Sequence, residues 1–443
     1  MTLAASTSDN LSHDVIDRGP VSAQQLLVVG LCMFFNMLDG FDITAMAVVA
    51  GSVSNDLNLS ADRLGWIFSF ALAGMMGGAM FLAPVSDIIG RRKLIILAMA
   101  LIGVSIVLTA SASTLTEFVI LRFISGLGAG AMLASQAALS AEYSPDKYKA
   151  FSVAAVTSGY PLGAMMTSVI AGYIMPDYGW RGMFWFGGLI TLAMVLVAWL
   201  MIPESLKYLF ERRPENALER INKILKKLKK EPLDEMPEVI VSTEKVTTGV
   251  FSGMRRLLAK EHRKTTLTLW TAFLLCFSTL YFLMSWIPKL MEDSGFDVAA
   301  GRYAFFLFNL GGVIGIYLMG WMSTRWKLTD LIYYLSGASA VAMIVFALVP
   351  NNLNLLLSLT LLIGILQQGG FTGLYGAAAK AYPTKIRSTG IGWSIGLGRF
   401  GAVLGPLVAG YLIAGGLSMS ANYFIFAIPM AIGGYIAYRL HIR

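Results

Sequence analysis

Charged side chains are scarce in this sequence. Asp, Glu, Lys and Arg make up 14% of the 443 residues, whereas 56% of the residues are hydrophobic. The mean hydropathy is +0.67. A soluble chain of this length needs far more charge to cover its surface, so the composition excludes an ordinary soluble protein. The apolar residues form a dozen runs long enough to cross a bilayer as helices. The sequence therefore predicts an integral membrane protein.

Cysteine and histidine are also rare. Cys32 and Cys276 both lie in apolar runs, which excludes a disulfide framework and a CxxC metal or redox motif. His13, His262 and His441 lie outside the apolar runs, so no histidine relay can carry protons across the membrane. The phosphate-binding pattern GxxxxGK[ST] does not occur, which removes ATP as a direct energy source. We expect no cofactor and no metal.

The apolar runs predict an all-α membrane protein with twelve transmembrane helices, arranged as two six-helix bundles. The first six runs are 25–50, 62–84, 94–111, 115–139, 149–175 and 182–202, and the last six are 266–290, 301–322, 329–349, 353–376, 387–413 and 421–438. The predicted domains are an N-terminal tail, a first bundle, a central loop, and a second bundle with a short tail: 1–24, 25–202, 203–264 and 265–443. The first 22 residues are polar and acidic, unlike a signal peptide, so the first run is expected to remain as an uncleaved span.

Basic residues show how the spans are oriented. Both ends and every second loop together hold 28 of the 34 Lys and Arg residues. By the positive-inside rule, both termini and the central loop are predicted to be cytoplasmic, in a bacterial inner membrane. This asymmetry also explains the net charge of +8 without a nucleic-acid partner.

The central loop contains a basic amphipathic stretch, PENALERINKILKKLKK (214–229). Its apolar residues recur at helical spacing, and lysines fill the opposite face. A helix of this kind typically lies on an anionic membrane surface. A helix that binds a protein partner is the alternative.

The two halves of the sequence resemble each other. SDIIGRRK (86–93) aligns with STRWKLTD (323–330) at an offset of 237, and SPDKYKA (144–150) aligns with YPTKIRS (382–388) at 238. Repeated halves of this kind are typical of transporters in which one half rocks against the other around a site at the middle of the membrane.

Several motifs carry a family resemblance. APVSDIIGRRK (83–93), together with RFISGLGAG and PES further along, resembles the Major Facilitator Superfamily. DGFD (39–42), SAEYSP (140–145) and the stretch YPTKIRSTGIGWSIGLGRFGAVLGP (382–406) resemble its aromatic acid:proton symporter family. The resemblance implies a monomer in the lipid bilayer that transports a small organic acid with protons by alternating access. Two positions depart from the loop signature: Ala83 replaces its usual glycine, and Thr324 replaces the acid of the second copy.

Two acidic residues lie within the first predicted span. A charge at the centre of a membrane helix costs about 2.5–3.5 kcal/mol on insertion scales, so Asp39 and Asp42 require an explanation. Residues three apart share a helix face, and two close acids in a low-dielectric cavity cannot easily both be ionised. We therefore expect this pair to couple transport to protons. A buried structural pair is the alternative.

Two arginines lie within predicted spans. Arg399 is about twelve residues into span eleven, ~18 Å deep at 1.5 Å per residue. Arg399 is the predicted anchor for a substrate carboxylate, and Arg122 is a second candidate whose position near a span end also suits a structural role. Asn36, Gln367 and Trp393 are expected to line the substrate site, although polar residues also join helices and Trp often packs.

A third group of charges lies at the cytoplasmic ends of spans. By resemblance, these residues form an ionic latch that holds the inward gate shut: Asp87, Arg91, Arg92, Glu142 and Arg387. Ordinary solvated loop charges are the alternative.

Glycines recur in spans four and eleven. GLGAG (126–130) superficially resembles a dinucleotide-binding loop, but no strand precedes it. We expect these glycines, and those of span eleven, to allow close helix packing; the latter are Gly390, Gly392, Gly396, Gly398, Gly401 and Gly405.

The leading functional hypothesis is a proton-coupled importer of an organic anion, most simply an aromatic carboxylate such as a hydroxybenzoate. Other substrates that fit an arginine-lined site are nicotinate and diacids such as muconate. A sugar porter is disfavoured because PESLK after span six lacks the usual following Pro-Arg. A drug antiporter is disfavoured because span five reads GYPLGAMM where those proteins carry a GP-containing motif. A membrane enzyme or receptor is the alternative of a different class, but no nucleophile–base pair or metal cluster occurs within the spans.

Overall fold

Helices account for all the regular secondary structure in the described part of the chain. The computed structural model describes residues 11, 15–17, 21–237, 250–350, 352–383 and 386–440. The first six helices are α1 Ala23–Asp56, α2 Ala61–Ile89, α3 Arg91–Thr109, α4 Leu115–Glu142, and α5 and α6 within Asp146–Met201. Three short helices follow: α7 Leu206–Arg212, α8 Ala217–Lys227 and α9 Val250–Leu257. The last six are α10 Arg263–Asp293, α11 Val298–Met322, α12 Leu328–Leu348, α13 Leu353–Ala381, α14 Arg387–Ala414 and α15 Met419–Tyr438.

The segment Asp146–Met201 is two helices that meet at Gly179. Its 56 residues would span ~84 Å as one helix, nearly three times the thickness of the hydrocarbon core. Gly179 has φ +60° and ψ −165°, a conformation that only glycine adopts readily. Helix α5 is therefore 146–178 and α6 is 180–201. Eleven continuous apolar helices in the described residues thus make twelve crossings, which confirms the predicted fold class.

The helices extend beyond the predicted apolar runs. Helix α1 runs Ala23–Asp56, whereas the run itself covers 25–50. Its start is fixed by a capping box, in which the Gln25 N–H donates to the Ser22 hydroxyl (3.3 Å) and the Ser22 N–H donates to the Gln25 side chain (2.8 Å). Helical structure therefore continues into the polar interface, where hydropathy no longer marks it.

Glycines in α2 and α4 bring these helices into backbone contact. A Cβ atom at Gly126 or Gly130 would overlap a carbonyl oxygen of α2, and one at Gly74 or Gly78 would overlap a carbonyl oxygen of α4. The prediction that GLGAG serves packing is confirmed.

The glycines of α14 divide into two groups. Gly401 and Gly405 pack against backbone carbonyls of α10, and Gly398 packs against two phenylalanines of α10. Around Gly392 and Gly396, however, an added Cβ would meet no described atom within 4 Å. For these two positions the packing prediction is wrong, because they lie on a different face of the helix.

The two halves contact each other directly near one end of the bundle. We call the side that holds the start of α1, helices α7–α9 and the end of α15 the terminal face, and the other side the opposite face. Near the opposite face, Ser69 of α2 donates to the Val403 carbonyl of α14 (2.7 Å), and Trp66 donates to the Tyr411 hydroxyl (3.0 Å). Helix α1 also approaches α10 there, where Gly51 leaves room for the Glu292 carboxylate.

The central-loop helix does not lie as the sequence predicted. Helix α8 is present, but the protein itself buries its apolar side chains, including Ile221 and Leu225 at 0% exposure. Lys230, just after α8, donates to the carbonyl of Ile16 (3.3 Å), so the N-terminal segment lies beside it. The hypothesis of an apolar face against lipid is wrong, since the chain covers that face. Residues 238–249 of the predicted loop, and most of the predicted tail 1–24, lie outside the described residues.

Candidate functional site

Arg399 lies near the middle of α14 and is half-buried. Its charge acts on two tyrosine phenols, Tyr160 of α5 and Tyr375 of α13. Among the described residues, its guanidinium has no hydrogen-bonded or ion-paired partner. A cation that is removed from bulk water without a partner is suited to bind an anionic ligand, because the anion supplies the missing hydrogen bonds.

Three tyrosines from both halves lie in the same region as this arginine. They are Tyr160 of α5, Tyr281 of α10 and Tyr375 of α13, and the Tyr160 hydroxyl is buried without a hydrogen-bond partner among the described residues. Tyr160 and Tyr281 line a cavity that encloses about 360 Å³ of space, including its open side. Sequence reasoning missed all three residues, since tyrosine is common in this chain and no motif marks these positions.

An aromatic cluster extends from Tyr281 toward the terminal face. Phe277 lies between its neighbours, with ring centroids 5.9 Å from Tyr281 and 4.6 Å from Phe371. Phe273 contacts Tyr375 edge to face at 5.4 Å. Tyr375 remains 37% exposed. Aromatic rings in these offset and edge-to-face arrangements provide faces and edges against which a further ring can pack.

One face of α14 leads from the terminal face to Arg399. Gly392, Gly396 and Arg399 are spaced four and three residues apart, so they lie along one side of the helix. Neither glycine presents a side chain, and an added Cβ would meet no described atom within 4 Å at either position. This row leaves Arg399 approachable from the terminal face.

The two acids of α1 have different surroundings. Asp39 and Asp42 are 2% and 3% exposed, and they lie close enough to interact electrostatically. Asp42 points into the first bundle, where the Thr191 hydroxyl of α6 lies 3.4 Å from its carboxylate. One carboxylate oxygen of Asp39 has no hydrogen-bond partner among the described residues, and the next residue, Gly40, packs on the Tyr160 carbonyl of α5. The pair therefore lies where α1 packs on α5, with Asp42 turned toward α6.

Arg122 of α4 is fully buried beside the acids. Its Nη1 donates to the backbone carbonyl of Asp42 (2.8 Å), and its guanidinium lies 5.0 Å from the centre of the Phe184 ring. Its Nε and Nη2 have no hydrogen-bond partner, and the residue lines the same cavity as Tyr160. Arg122 therefore combines an anchoring contact with an open position on the cavity.

The polar candidates Asn36 and Gln367 join helices. The Asn36 amide donates to the Val156 carbonyl of α5 (2.7 Å), and Gln367 accepts from the Ser339 hydroxyl of α12 (3.0 Å). Both are fully buried, but each keeps one amide atom without a partner. Trp393 lies nearer the terminal face, with its ring 6.2 Å from that of Trp270. The structure thus does not place Asn36, Gln367 and Trp393 around Arg399 in one binding site.

The latch candidates lie at the terminal face. Arg91 forms an ion pair with Glu142, and Arg92 donates to the backbone carbonyl of Trp199. The backbone carbonyl of Asp87 accepts from Arg212 of α7 (3.1 Å). These contacts lie within the first bundle or join it to α7, and none of them reaches the second bundle. Arg387 belongs to the second half, where its Nε donates to the Tyr382 carbonyl (3.4 Å).

Glu204 is a further member of this cluster that sequence reasoning did not single out. It is 4% exposed, and its carboxylate accepts from the backbone N–H groups of Arg92 and Ser205, both at 3.0 Å. Gly90, with φ +99°, allows the carboxylate to approach, since a Cβ there would overlap it. The PES motif, which contains Glu204, is the sequence feature that could have identified this residue.

Comparison with known families identifies the fold. The sequence model of the Major Facilitator Superfamily matches residues 29–352 and 269–442 of this chain. The chain belongs to this superfamily. It is therefore a membrane transporter rather than an enzyme, and the twelve helices are the spans of its two halves.

Curated relatives of the transporter cover nearly its whole length. The 4-hydroxybenzoate transporter PcaK of Pseudomonas putida is 30% identical over 426 residues, covering 94% of this chain and 92% of the relative. PcaK of Acinetobacter baylyi is 29% identical over 418 residues, covering 94% and 91%. The gallate transporter of Pseudomonas putida is 28% identical over 419 residues, covering 94% and 92%.

Solved structures share the fold of the transporter. A bacterial homologue of the lysosomal transporter Spinster, in an inward-facing and unoccupied conformation, aligns with a TM-score of 0.72 at 16% identity, over 95% of this chain and 97% of that chain. The inward open xylose transporter XylE from E. coli aligns with a TM-score of 0.70 at 16% identity, over 94% and 96%.

Proposed function

We propose that this transporter is a proton-coupled symporter that imports an aromatic carboxylate. The observation that carries the proposal is Arg399: a half-buried guanidinium at mid-membrane depth, beside tyrosines and without a partner among the described residues. A carboxylate can satisfy a guanidinium through two parallel hydrogen bonds, a geometry that few other metabolite groups match.

The rings near Arg399 support an aromatic substrate. An aromatic cluster lies on the terminal-face side of Arg399; its members include Phe277, Phe371 and Tyr375. The ring of a substrate whose carboxylate binds Arg399 would therefore have aromatic neighbours. Tyrosine hydroxyls can also donate to, or accept from, a hydroxyl on the substrate ring. The relatives of this chain include transporters of 4-hydroxybenzoate and gallate, which agrees with this chemistry.

The acid pair supplies a reason for proton coupling. An anionic substrate carries its charge through a low-dielectric region, and a proton taken up at Asp39 or Asp42 offsets that charge. The proton also removes the cost of a buried carboxylate while the halves move. We therefore assign proton binding to this pair and substrate binding to Arg399.

The contacts between the halves support an inward-facing state. Direct contacts near the opposite face, such as Ser69 with Val403, close that side, while the Gly392–Gly396 row leaves Arg399 approachable from the terminal face. The distribution of basic residues supports a cytoplasmic terminal face. In this proposal, closure of the latch residues would produce the outward-facing state.

The orientation predicts a labelling pattern. Asn55, in the last turn of α1, and Lys223, in α8, are both exposed, and they lie on opposite faces. In intact cells, we expect a membrane-impermeant thiol reagent to modify Asn55→Cys but to reach Lys223→Cys only after lysis. The native Cys32 and Cys276 are fully buried, so the parent chain serves as the background control. The reverse pattern would contradict a cytoplasmic central loop.

The proposed function is tested by uptake into liposomes. Purified transporter should accumulate labelled 4-hydroxybenzoate or benzoate when the outside is made acidic, and a protonophore should reduce accumulation to the level of empty liposomes. Cyclohexanecarboxylate, muconate and xylose serve as controls for the ring, for a second carboxylate and for a neutral sugar. A preference for xylose would indicate a sugar porter, and a preference for muconate would indicate a diacid porter. Either result would contradict the proposal of an aromatic carboxylate substrate. Uptake unaffected by the protonophore would show that transport is not driven by a proton gradient.

A further inference from the structure

The two arginines within spans lie at different depths. Helix α4 starts at the opposite face with Leu115, and Arg122 follows seven residues later, ~10 Å along the helix at 1.5 Å per residue. Helix α14 ends at the opposite face with Ala414, and Arg399 precedes that end by 15 residues, or ~22 Å. Arg122 is therefore the arginine nearer to the opposite face.

One edge of the Arg122 guanidinium is free. Its Nη1 donates to the backbone carbonyl of Asp42 (2.8 Å), which holds the group in place. Its Nε and Nη2 lie side by side on one edge of the guanidinium, and neither has a hydrogen-bond partner among the described residues, although the residue is 0% exposed. Two adjacent N–H donors match the two oxygens of a carboxylate. Because unpaired buried donors are costly, this edge is suited to bind an anion.

The cavity that Arg122 lines offers further donors beside an apolar wall. The Tyr160 hydroxyl, on the same cavity, is also buried without a hydrogen-bond partner among the described residues. Ser285 of α10 adds a second hydroxyl, while Ala47 of α1 and Ala71 of α2 belong to the apolar part of the lining. A few convergent polar groups on a mostly apolar wall are typical of a site for a small organic molecule.

The contact between the halves closes this cavity toward the opposite face. Phe68 of α2 lines the cavity and packs edge to face on Trp286 of α10, with ring centroids 5.2 Å apart. The Trp286 N–H donates to the Pro406 carbonyl of α14 (3.0 Å), so its ring is held by the second half. When the halves separate at the opposite face, Phe68 must leave Trp286, and the cavity then opens to that side.

We propose that Arg122 binds the substrate carboxylate when the opposite face is open, and that the substrate passes from there to Arg399. This proposal rests on the proposed function. It adds a second carboxylate site to the one at Arg399 and assigns each arginine to one side. Arg122 receives a substrate that arrives from the opposite face, and Arg399 holds a substrate that can leave at the terminal face.

The acid pair determines the charge beside Arg122. Asp42 contacts the guanidinium through its backbone carbonyl, and Asp39 lies one turn before the α1 residues that line the cavity. The other titratable groups on the cavity wall are the phenols of Tyr160 and Tyr281. With both acids ionised, the two carboxylates outweigh the one guanidinium and repel an anion, whereas one bound proton makes the group neutral. Binding of a carboxylate at Arg122 is therefore best measured in acid.

The experiment measures the KM for exchange of labelled against unlabelled 4-hydroxybenzoate at each face. Right-side-out and inside-out membrane vesicles are compared at one acid pH on both sides, so that no proton gradient is needed. Arg122→Lys keeps the charge but loses the two parallel donors. Its KM should rise by about 10-fold or more at the opposite face, as for the loss of one charge-assisted hydrogen bond, and should equal that of wild type at the terminal face. Arg399→Lys should raise the KM at the terminal face.

A second variant leaves the guanidinium untouched. Ala47→Val narrows the cavity and should also raise the KM at the opposite face alone. Ala98→Val makes the same substitution at a buried alanine of α3 that does not line the cavity, and both KM values should equal those of wild type. Thermal unfolding of each purified variant shows whether it is folded.

Three results would contradict the proposal. If folded Arg122→Lys keeps the wild-type KM at the opposite face, or raises the KM equally at both faces, the second carboxylate site is overturned while the proposed function stands. Should Arg122→Lys fail to fold, an unchanged opposite-face KM in Ala47→Val overturns the site in the same way. If wild-type vesicles exchange no aromatic carboxylate at all, the proposed function itself fails.

Discussion

Replacing Arg399 by lysine is expected to weaken binding of an aromatic carboxylate by about 10- to 100-fold, which corresponds to the loss of one charge-assisted hydrogen bond in a desolvated site. Lysine keeps the positive charge but cannot offer two parallel N–H donors in a fixed plane. Because the guanidinium has no described hydrogen-bonded partner, its replacement should leave the fold intact. Equilibrium binding of 4-hydroxybenzoate to purified protein measures the effect.

Two controls make the Arg399 result specific. Arg302→Lys makes the same substitution at a half-buried arginine near the opposite face, and its binding should equal that of wild type. Arg399→Gln removes the charge as well and should bind more weakly than Arg399→Lys. Binding by Arg399→Lys at the wild-type level would assign this arginine a structural role.

Neutralising the acid pair is expected to abolish uphill transport. Asp39→Asn and Asp42→Asn cannot exchange a proton, so accumulation driven by an imposed pH gradient should fall to that of empty liposomes. Asp39→Asn resembles the protonated residue and should still exchange labelled for unlabelled substrate. Asp42→Asn leaves the buried charge of Arg122 without its nearest acid, and we expect lower thermal stability in that variant.

The double variant Asp42→Asn/Arg122→Gln tests whether Asp42 stabilises the protein by balancing the charge of Arg122. If Asp42 mainly balances Arg122, the double variant should be more stable than Asp42→Asn alone, since no unpaired charge remains. Accumulation of substrate by both single acid variants under a proton gradient alone would refute the coupling role of the pair.

The spans and their grouping were predictable because their signals are local. Each apolar run contains its own evidence of length, and the basic loops alternate between the two faces. The break at Gly179 was also marked, by the polar residues around it. Helix ends were less predictable, since the capping box at Ser22 extends α1 beyond its apolar run.

The site was predicted only in its charges. Asp39, Asp42, Arg122 and Arg399 were evident, because an ionisable residue within a span is conspicuous. The tyrosines were not, since a tyrosine in a span can face lipid, a neighbouring helix or a cavity with equal plausibility, and Tyr160 acquires its neighbours only when the two halves meet. The same limit explains Gly392 and Gly396: composition shows that a glycine is present but not which face of the helix it occupies.

The contact at the opposite face has a consequence for the equilibrium between conformations. Its two hydrogen bonds, Ser69 with Val403 and Trp66 with Tyr411, are each worth about 0.6 kcal/mol on the average for side-chain bonds between membrane helices. Gly65 and Gly410 meet there backbone to backbone, and Phe68 of α2 packs edge to face on Trp286 of α10, with ring centroids 5.2 Å apart. The polar part of this contact thus amounts to about 1 kcal/mol, within the 1–3 kcal/mol of a typical coupling free energy. The differential binding of a proton and a substrate at the central site is therefore of the right magnitude to offset the polar part of this contact when the population shifts between the two conformations.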